Sequence, residues 1–189
     1  MDIPKSSLVA VDTQIWIWGG LRDQICGTTV DETVNGDLRR RSRWLMHELD
    51  KSGARLVMPA MVASELLSRI PSEHHSRFLA VVSNRFRCQP FDARASSLAA
   101  KLWSYGRDIS AGDVAKRDVL KSDAYIIASA VVGGVRYFFT EDDRCRKMAD
   151  QAGILGKRLP THPESLFADQ ELDDFPSVLP IRKTASDSL

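Results

Sequence analysis

An α/β fold, a parallel sheet covered by helices on both faces, is the architecture predicted by this 189-residue sequence. Three observations predict it. Leu8, Val9, Ala10 and Val11 form a continuous apolar run, too short for a helix and suited to a strand buried on both faces. Strand-like and helix-like segments then alternate along the chain, the rhythm of strands joined by right-handed crossovers. The third is the stretch Lys121 to Asp143, KSDAYIIASAVVGGVRYFFTEDD, which reads as helix, glycine turn, aromatic strand and acidic loop. Ligand sites in open parallel sheets lie beyond the carboxyl ends of the strands, so acids placed there are candidates for chemistry rather than for the core.

The bulk properties bound the answer without choosing it. A hydrophobic content of 43% in 189 residues suits one domain with a full core plus a tail. Lys and Arg number 26 against 25 Asp and Glu, so only local patches can speak for a nucleic-acid partner. Cys26, Cys88 and Cys145 are three, widely spaced and without a CxxC pair, which argues against a disulfide framework and against a zinc site. Met1 to Leu8 lacks the basic start and apolar run of a signal peptide, and no window reaches the roughly 18 apolar residues of a membrane helix. The expectation is a soluble cytoplasmic protein without membrane contact.

In order, the first strand, Leu8 to Val11, is closed by Asp12, which on its own reads as a turn or helix-cap residue. Residues 19–36 are polar, carry glycines and show no periodicity, so they read as an inserted loop. Asp37 opens a helix through Leu38, Trp44, Leu45 and Leu49 to Gly53, and Arg39, Arg40, Arg41 and Arg43 crowd its start. That patch reads as a solvated helix face or as a contact to RNA phosphates. Arg55 to Met58 is a second strand stopped by Pro59, and Ala60 to Ile70 a helix whose single acid, Glu65, is read as lying near its start among apolar neighbours. Pro71 to Asn84 is a further helix, and its His74 and His75 lack a third ligand at metal spacing. Phe86 to Phe91 is a third strand, and Asp92 caps the Ala-rich helix ending at Tyr105. Residues 106–117 connect to the organising helix, where Asp123 is expected in the first turn, a favourable place for an acid. Gly133 and Gly134 stop that helix, and a fourth strand runs from Arg136 to Thr140. Arg144 to Ala152, closed by Gly153, is a helix, with Asp143 as its expected N-cap. Residues 154–159 make an edge strand, 163–167 a last helical turn, and 169–189 an acidic, polar tail.

Four acids thus stand at equivalent places: Asp12, Glu65, Asp123 and Asp142. Two carboxylates about 4 Å apart repel by roughly 4 kcal/mol at an effective dielectric of 20, so gathering four calls for a cation. Oxygen ligands without His or Cys select Mg2+ or Mn2+, and such a site activates water and steadies the charge on a phosphate in in-line displacement.

At these residues the sequence resembles the PIN-domain ribonucleases, whose best-known members are toxins of the VapC type. The segments that carry the resemblance are LVAVDTQIW, LVMPAMVASELL, KSDAYIIASAVVGGVRYFFTEDDRCRKMADQAGI and THPESLF, an ordered set across most of residues 7–168. The resemblance implies a Rossmann-like three-layer α/β/α fold with sheet order 3-2-1-4-5, a nuclease domain over 1–168, and metal-dependent cleavage of RNA. It implies metal ligands at Asp12, Glu65, Asp123 and Asp142, and a site-lining hydroxyl at Thr140 in the TxD step. A homodimer and a cognate antitoxin are the partners it implies. Compact toxins of the family lack segments like 19–36 and 169–189, and many carry a further acid three residues past the TxD acid. Here Cys145 and Arg146 are in that vicinity, and Asp143 is a candidate for the extra acid.

Two other classes stay open on the sequence. A phosphotransfer domain would use Asp12 after the first strand, yet a haloacid-type phosphatase needs an acid where Gln14 stands, and a receiver domain leaves Glu65 and Asp123 without a task. A catalytically weak RNA- or partner-binding module would work through the arginine patch.

Overall fold

In the computed structural model, residues 3–28, 35–109 and 117–161 are described. The expected last helical turn at 163–167 and tail at 169–189 lie outside them, as does part of the 19–36 segment. A five-stranded, all-parallel sheet in the order β3-β2-β1-β4-β5 forms the centre, from β1 (Leu8–Val11), β2 (Arg55–Pro59), β3 (Arg87–Gln89), β4 (Tyr137–Phe139) and β5 (Leu155–Lys157). Helices complete a three-layer α/β/α arrangement, so fold class and strand order agree with the expectation. Val9, Ala10 and Val11 are fully buried and Phe138 and Phe139 nearly so, which is why the central strands read as continuous apolar runs.

Between β1 and β2 run α1 (Thr13–Trp18), α2 (Leu21–Cys26) and α3 (Gly36–Ser52). The second of these corrects the reading of 19–36 as an inserted loop. Leu21 and Ile25, four apart on one face of α2, are 0% and 1% exposed, and Asp23 pairs with Arg39 of α3 at 3.7 Å. Each such side chain stabilises the fold by about 1.5–3 kcal/mol. A six-residue helix between Gly20 and Gly27, both at positive φ, is too short to show a period in sequence. Trp16 on α1 is fully buried and meets Phe86 edge-on at 4.8 Å.

After β2, α4 (Ala60–Leu67) is three residues shorter than expected, and α5 (His75–Arg85) follows a single 3-10 turn. His75 explains the break. Its Nε2 lies 3.1 Å from the Leu67 carbonyl oxygen, which also accepts the Ile70 N–H, and 2.9 Å from the Ile70 carbonyl oxygen, so it ties the chain where α4 ends. Asp92 caps α6 (Ala93–Ile109) through the Ala95 N–H, as expected, but the helix continues four residues past Tyr105. Gly106 does not stop it because it is needed there: a Cβ at this position would stand 3.1 Å from Leu120 and 3.2 Å from Met148.

Helix α7 (Arg117–Val132) starts six residues before Asp123, which is therefore in its second turn and not in the first. The helix dipole gives that carboxylate no special support, since the effect is confined to the terminal turn. Gly133 and Gly134 end α7, the latter at φ +76°, and α6, α7 and α8 (Asp143–Gln151) pack together. The N-cap of α8 is Asp142 and not Asp143: the Asp142 carboxylate accepts the N–H groups of Arg144 at 2.7 Å and Cys145 at 3.0 Å.

Helix α8 also fixes β5 closely. A Cβ on Gly156 would lie 2.7 Å from both Arg146 Cγ and the Arg146 carbonyl oxygen, and backbone cannot yield as a side chain does. Gly156→Ala is expected to lower stability by about 1–3 kcal/mol, read from the urea midpoint. An unchanged midpoint would show that the β5 edge moves freely over α8.

Candidate active site

The parallel register places the site. Val11 pairs with Phe139, so the residues that follow, Asp12 and Thr140, leave the sheet side by side. The Asp12 N–H donates to the Phe139 carbonyl at 2.9 Å, and the Thr140 hydroxyl donates to Asp12 Oδ2 at 2.8 Å. Asp12 also caps α1, accepting the Thr13 N–H at 2.6 Å. Thr140 is fully buried and accepts the Asp142 N–H at 3.1 Å, which fixes where the chain turns after β4. One hydroxyl thus ties the two acids at the ends of the central strands.

Glu65 comes from the second half of α4, not from near its start, and reaches the same place because α4 packs against α1 and α7. The Thr13 hydroxyl donates to Glu65 Oε2, and the Ser122 hydroxyl donates to Glu65 Oε1. Asp123 arrives on α7 beside Ser122, its side chain 14% exposed. Asp12, Glu65, Asp123 and Asp142 all line one cleft of about 350 Å3, together with Thr13, Gln14, Trp18, Val119, Ser122 and Glu141. This cleft lies at the carboxyl ends of the strands, where an open parallel sheet binds its ligands.

The electrostatics are those of an anionic site short of positive charge. Burial pushes the Asp12 carboxyl above its ordinary value, against the lowering effect of the Thr140 and Thr13 bonds, and Glu65 and Asp142 raise it further. Asp123 is pushed up to about 7, first by burial and then by the charge of Asp12, with the Arg144 guanidinium opposing. A carboxyl raised from 3.8 to about 7 favours folding fully below pH 4 and loses that contribution as pH rises to 7. Metal-free protein is therefore expected to lose stability between about pH 4 and 7, on the order of 4 kcal/mol for this group at most. Asp123→Asn should flatten the profile of melting temperature against pH, and an equally steep profile in that variant would place the titration elsewhere.

Donor chemistry fits a hard divalent ion, since the acids supply oxygens only and burial with mutual repulsion leaves Asp12 and Asp123 in need of a cation. As they stand, no three acids among the described residues are grouped closely enough to hold one ion. Arg144 lies among them instead, with Nη2 3.4 Å from Asp123 Oδ2 and 3.5 Å from Asp142 Oδ2. Asp143 is turned away, paired to Arg146 at 2.9 Å and Arg158 at 2.7 Å on the surface.

The arginine patch does not act as a unit. Arg39 is 8% exposed and pairs with Asp23. Arg41 donates to the carbonyl oxygens of Leu159 and Pro160 and pairs with Glu141 at 3.5 Å, stapling α3 to the end of the described chain. Arg40 and Arg43 are half-buried. Thr13, Ser122 and Arg144 are the site neighbours that sequence reasoning passed over. Their only signal is adjacency, since Thr13 follows Asp12, Ser122 precedes Asp123 and Arg144 lies two past Asp142.

Comparisons with known proteins follow the same lines. The sequence profile of the PIN domain matches residues 9–151. No curated protein matches the chain significantly. Among solved structures, the chain is similar in fold to the crystal structure of VapBC2 from Rickettsia felis bound to a DNA fragment from their promoter. That similarity has 11% sequence identity and a TM-score of 0.49, over 81% of this chain and 99% of that one. Among the described residues no helix is long and apolar enough to cross a membrane.

Proposed function

The chain belongs to the PIN-domain family, whose members are generally nucleases, and we propose that it is a metal-dependent endoribonuclease working through Asp12, Glu65, Asp123 and Asp142. The observation that carries this reading is the convergence of those four carboxylates, from β1, α4, α7 and the turn after β4, on one cleft. Mg2+ or Mn2+ held by these acids would supply Lewis-acid stabilisation of the phosphate charge and lower the pKa of an attacking water. The chain's own residues arrange the rest. Thr140 orients Asp12, while Thr13 and Ser122 hold both oxygens of Glu65, so these two carboxylates are oriented before an ion binds. Gln14, Trp18 and Val119 line the remaining wall, where a nucleotide flanking the scissile phosphate would rest.

Incubation of a labelled RNA with the full chain tests the proposal. Cleavage in Mg2+ or Mn2+, abolished by EDTA and restored by excess metal, is the expected result. Binding without cleavage in either metal would favour the RNA- or partner-binding module instead. The family resemblance adds a homodimer and a cognate antitoxin as partners, and the unpaired cysteine pattern adds a cytoplasmic setting. Sedimentation of the purified chain reads the first of these.

The arginines enter here with a qualified role. Arg41→Ala is expected to cost about 1–3 kcal/mol of stability, because the carbonyl oxygens of Leu159 and Pro160 lose their donor. Arg40 and Arg43 are the members proposed to meet phosphates, and their joint replacement by Ala should flatten the salt dependence of RNA binding. An unaltered salt slope would assign the whole patch to the fold.

A further inference from the structure

Arg144 is held among the acids in a way that a surface ion pair is not. A single guanidinium nitrogen, Nη2, lies within 3.5 Å of both Asp123 and Asp142, and the side chain is only 17% exposed. Its Nε is buried and makes no hydrogen bond among the described residues. Arg144 is also the second residue of α8, where the helix dipole disfavours a cation. Local helix energetics therefore do not account for its placement; the acids do. Nearby arginines make the contrast, since Arg146 and Arg158 turn to Asp143 on the surface.

The oxygens engaged elsewhere sharpen the point. Thr13 and Ser122 hold Glu65, Thr140 and the Thr13 N–H hold Asp12, and the α8 cap takes Asp142 Oδ1. The oxygen of Asp142 that the cap leaves over, Oδ2, is the one that Arg144 takes, together with Asp123 Oδ2.

We propose that Arg144 is the built-in counter-ion of this site, which a divalent metal must displace from Asp123 and Asp142 in order to bind. The inference rests on the metal-dependent reading of the cleft. Arg144 then sets metal affinity by competition: it steadies the acids in the metal-free protein, and its release is part of loading. A merely structural ion pair would do the first and not the second.

Calorimetric titration of the full chain with Mn2+, without RNA, tests this on the wild type, Arg144→Gln and Asp12→Asn. Arg144→Gln is expected to bind Mn2+ about tenfold or more tightly, because a competing unit charge some 4 Å from two ligands has gone. Its metal-free melting temperature should fall, and saturating Mn2+ should raise it by more than in the wild type. Unchanged or weaker Mn2+ affinity in Arg144→Gln overturns the exchange. A measurement that needs no folded Gln variant is NMR of the 15N-labelled wild type. There the Arg144 Nε–H resonance, identified by its loss in Arg144→Lys, should shift on Mg2+ titration and reach a plateau at saturation. A resonance that stays in place at saturating Mg2+ overturns the proposal as well. If the wild type binds no Mn2+, the metal reading and the exchange fall together. If the wild type binds, Asp12→Asn does not, and Arg144→Gln matches the wild type, the exchange alone falls.

Discussion

Asp12→Asn is expected to abolish RNA cleavage while leaving the protein folded. Asp12 ends the central strand and accepts bonds from the Thr140 hydroxyl and the Thr13 N–H, and an asparagine oxygen can keep one of them. What it cannot keep is the charge. Burial already makes that charge costly in the metal-free protein, and Glu65 and Asp142 add repulsion, so the neutral side chain should leave metal-free stability equal or slightly higher. Loss of a ligand that binds metal only as carboxylate should cost several orders of magnitude in rate. Cleavage assays in Mg2+, with thermal melts of the same preparations, separate the two effects. Wild-type cleavage by Asp12→Asn would reduce Asp12 to a helix cap.

The second large effect divides neighbouring acids. Asp142→Ala removes a proposed metal ligand and the N-cap of α8 at once, since its Oδ1 accepts the Arg144 and Cys145 N–H groups. Activity should fall by orders of magnitude, and stability by about 1 kcal/mol from the lost cap. Asp143→Ala should do neither, because it removes only surface pairs with Arg146 and Arg158, of a kind that contributes little. Titrating Mg2+ against activity for both variants, beside urea unfolding, tests the division. The assignment fails if Asp143→Ala needs much more metal while Asp142→Ala behaves as wild type.

These two acids show where a sequence stops being readable. Both are small acids before a helix, and either satisfies the rule for an N-cap. The chain turns at Asp142 because Thr140, locked under β4, accepts the Asp142 N–H, and that bond is invisible in the local pattern. Asp123 is misplaced by one turn for a related reason: apolar periodicity begins only after the acid, whereas the six polar and mixed residues before it already belong to α7. Helix α2 was lost to shortness. The arginine patch looked uniform as a string, yet Arg39 and Arg41 are consumed by Asp23 and by carbonyl oxygens more than a hundred residues away in sequence.

What the sequence determined by itself was the sheet and the side of it that matters. Apolar runs of strand length fix which segments are central, because a strand buried on both faces admits no polar alternation, and the acids after the first and fourth runs mark the carboxyl ends of those strands. Asp12, Glu65, Asp123 and Asp142, four of the five acids that line the cleft, were nameable in advance. Tertiary structure decided everything that depends on partners distant in sequence: Thr13 and Ser122 on Glu65, Thr140 on Asp12, and Arg144 between Asp123 and Asp142. Periodicity reports which face of an element is buried, whereas the partner of a polar side chain is fixed by packing of whole elements. The register of β1 against β4 and the packing of α4 on α1 and of α4 and α8 on α7 bring those groups within reach of one another.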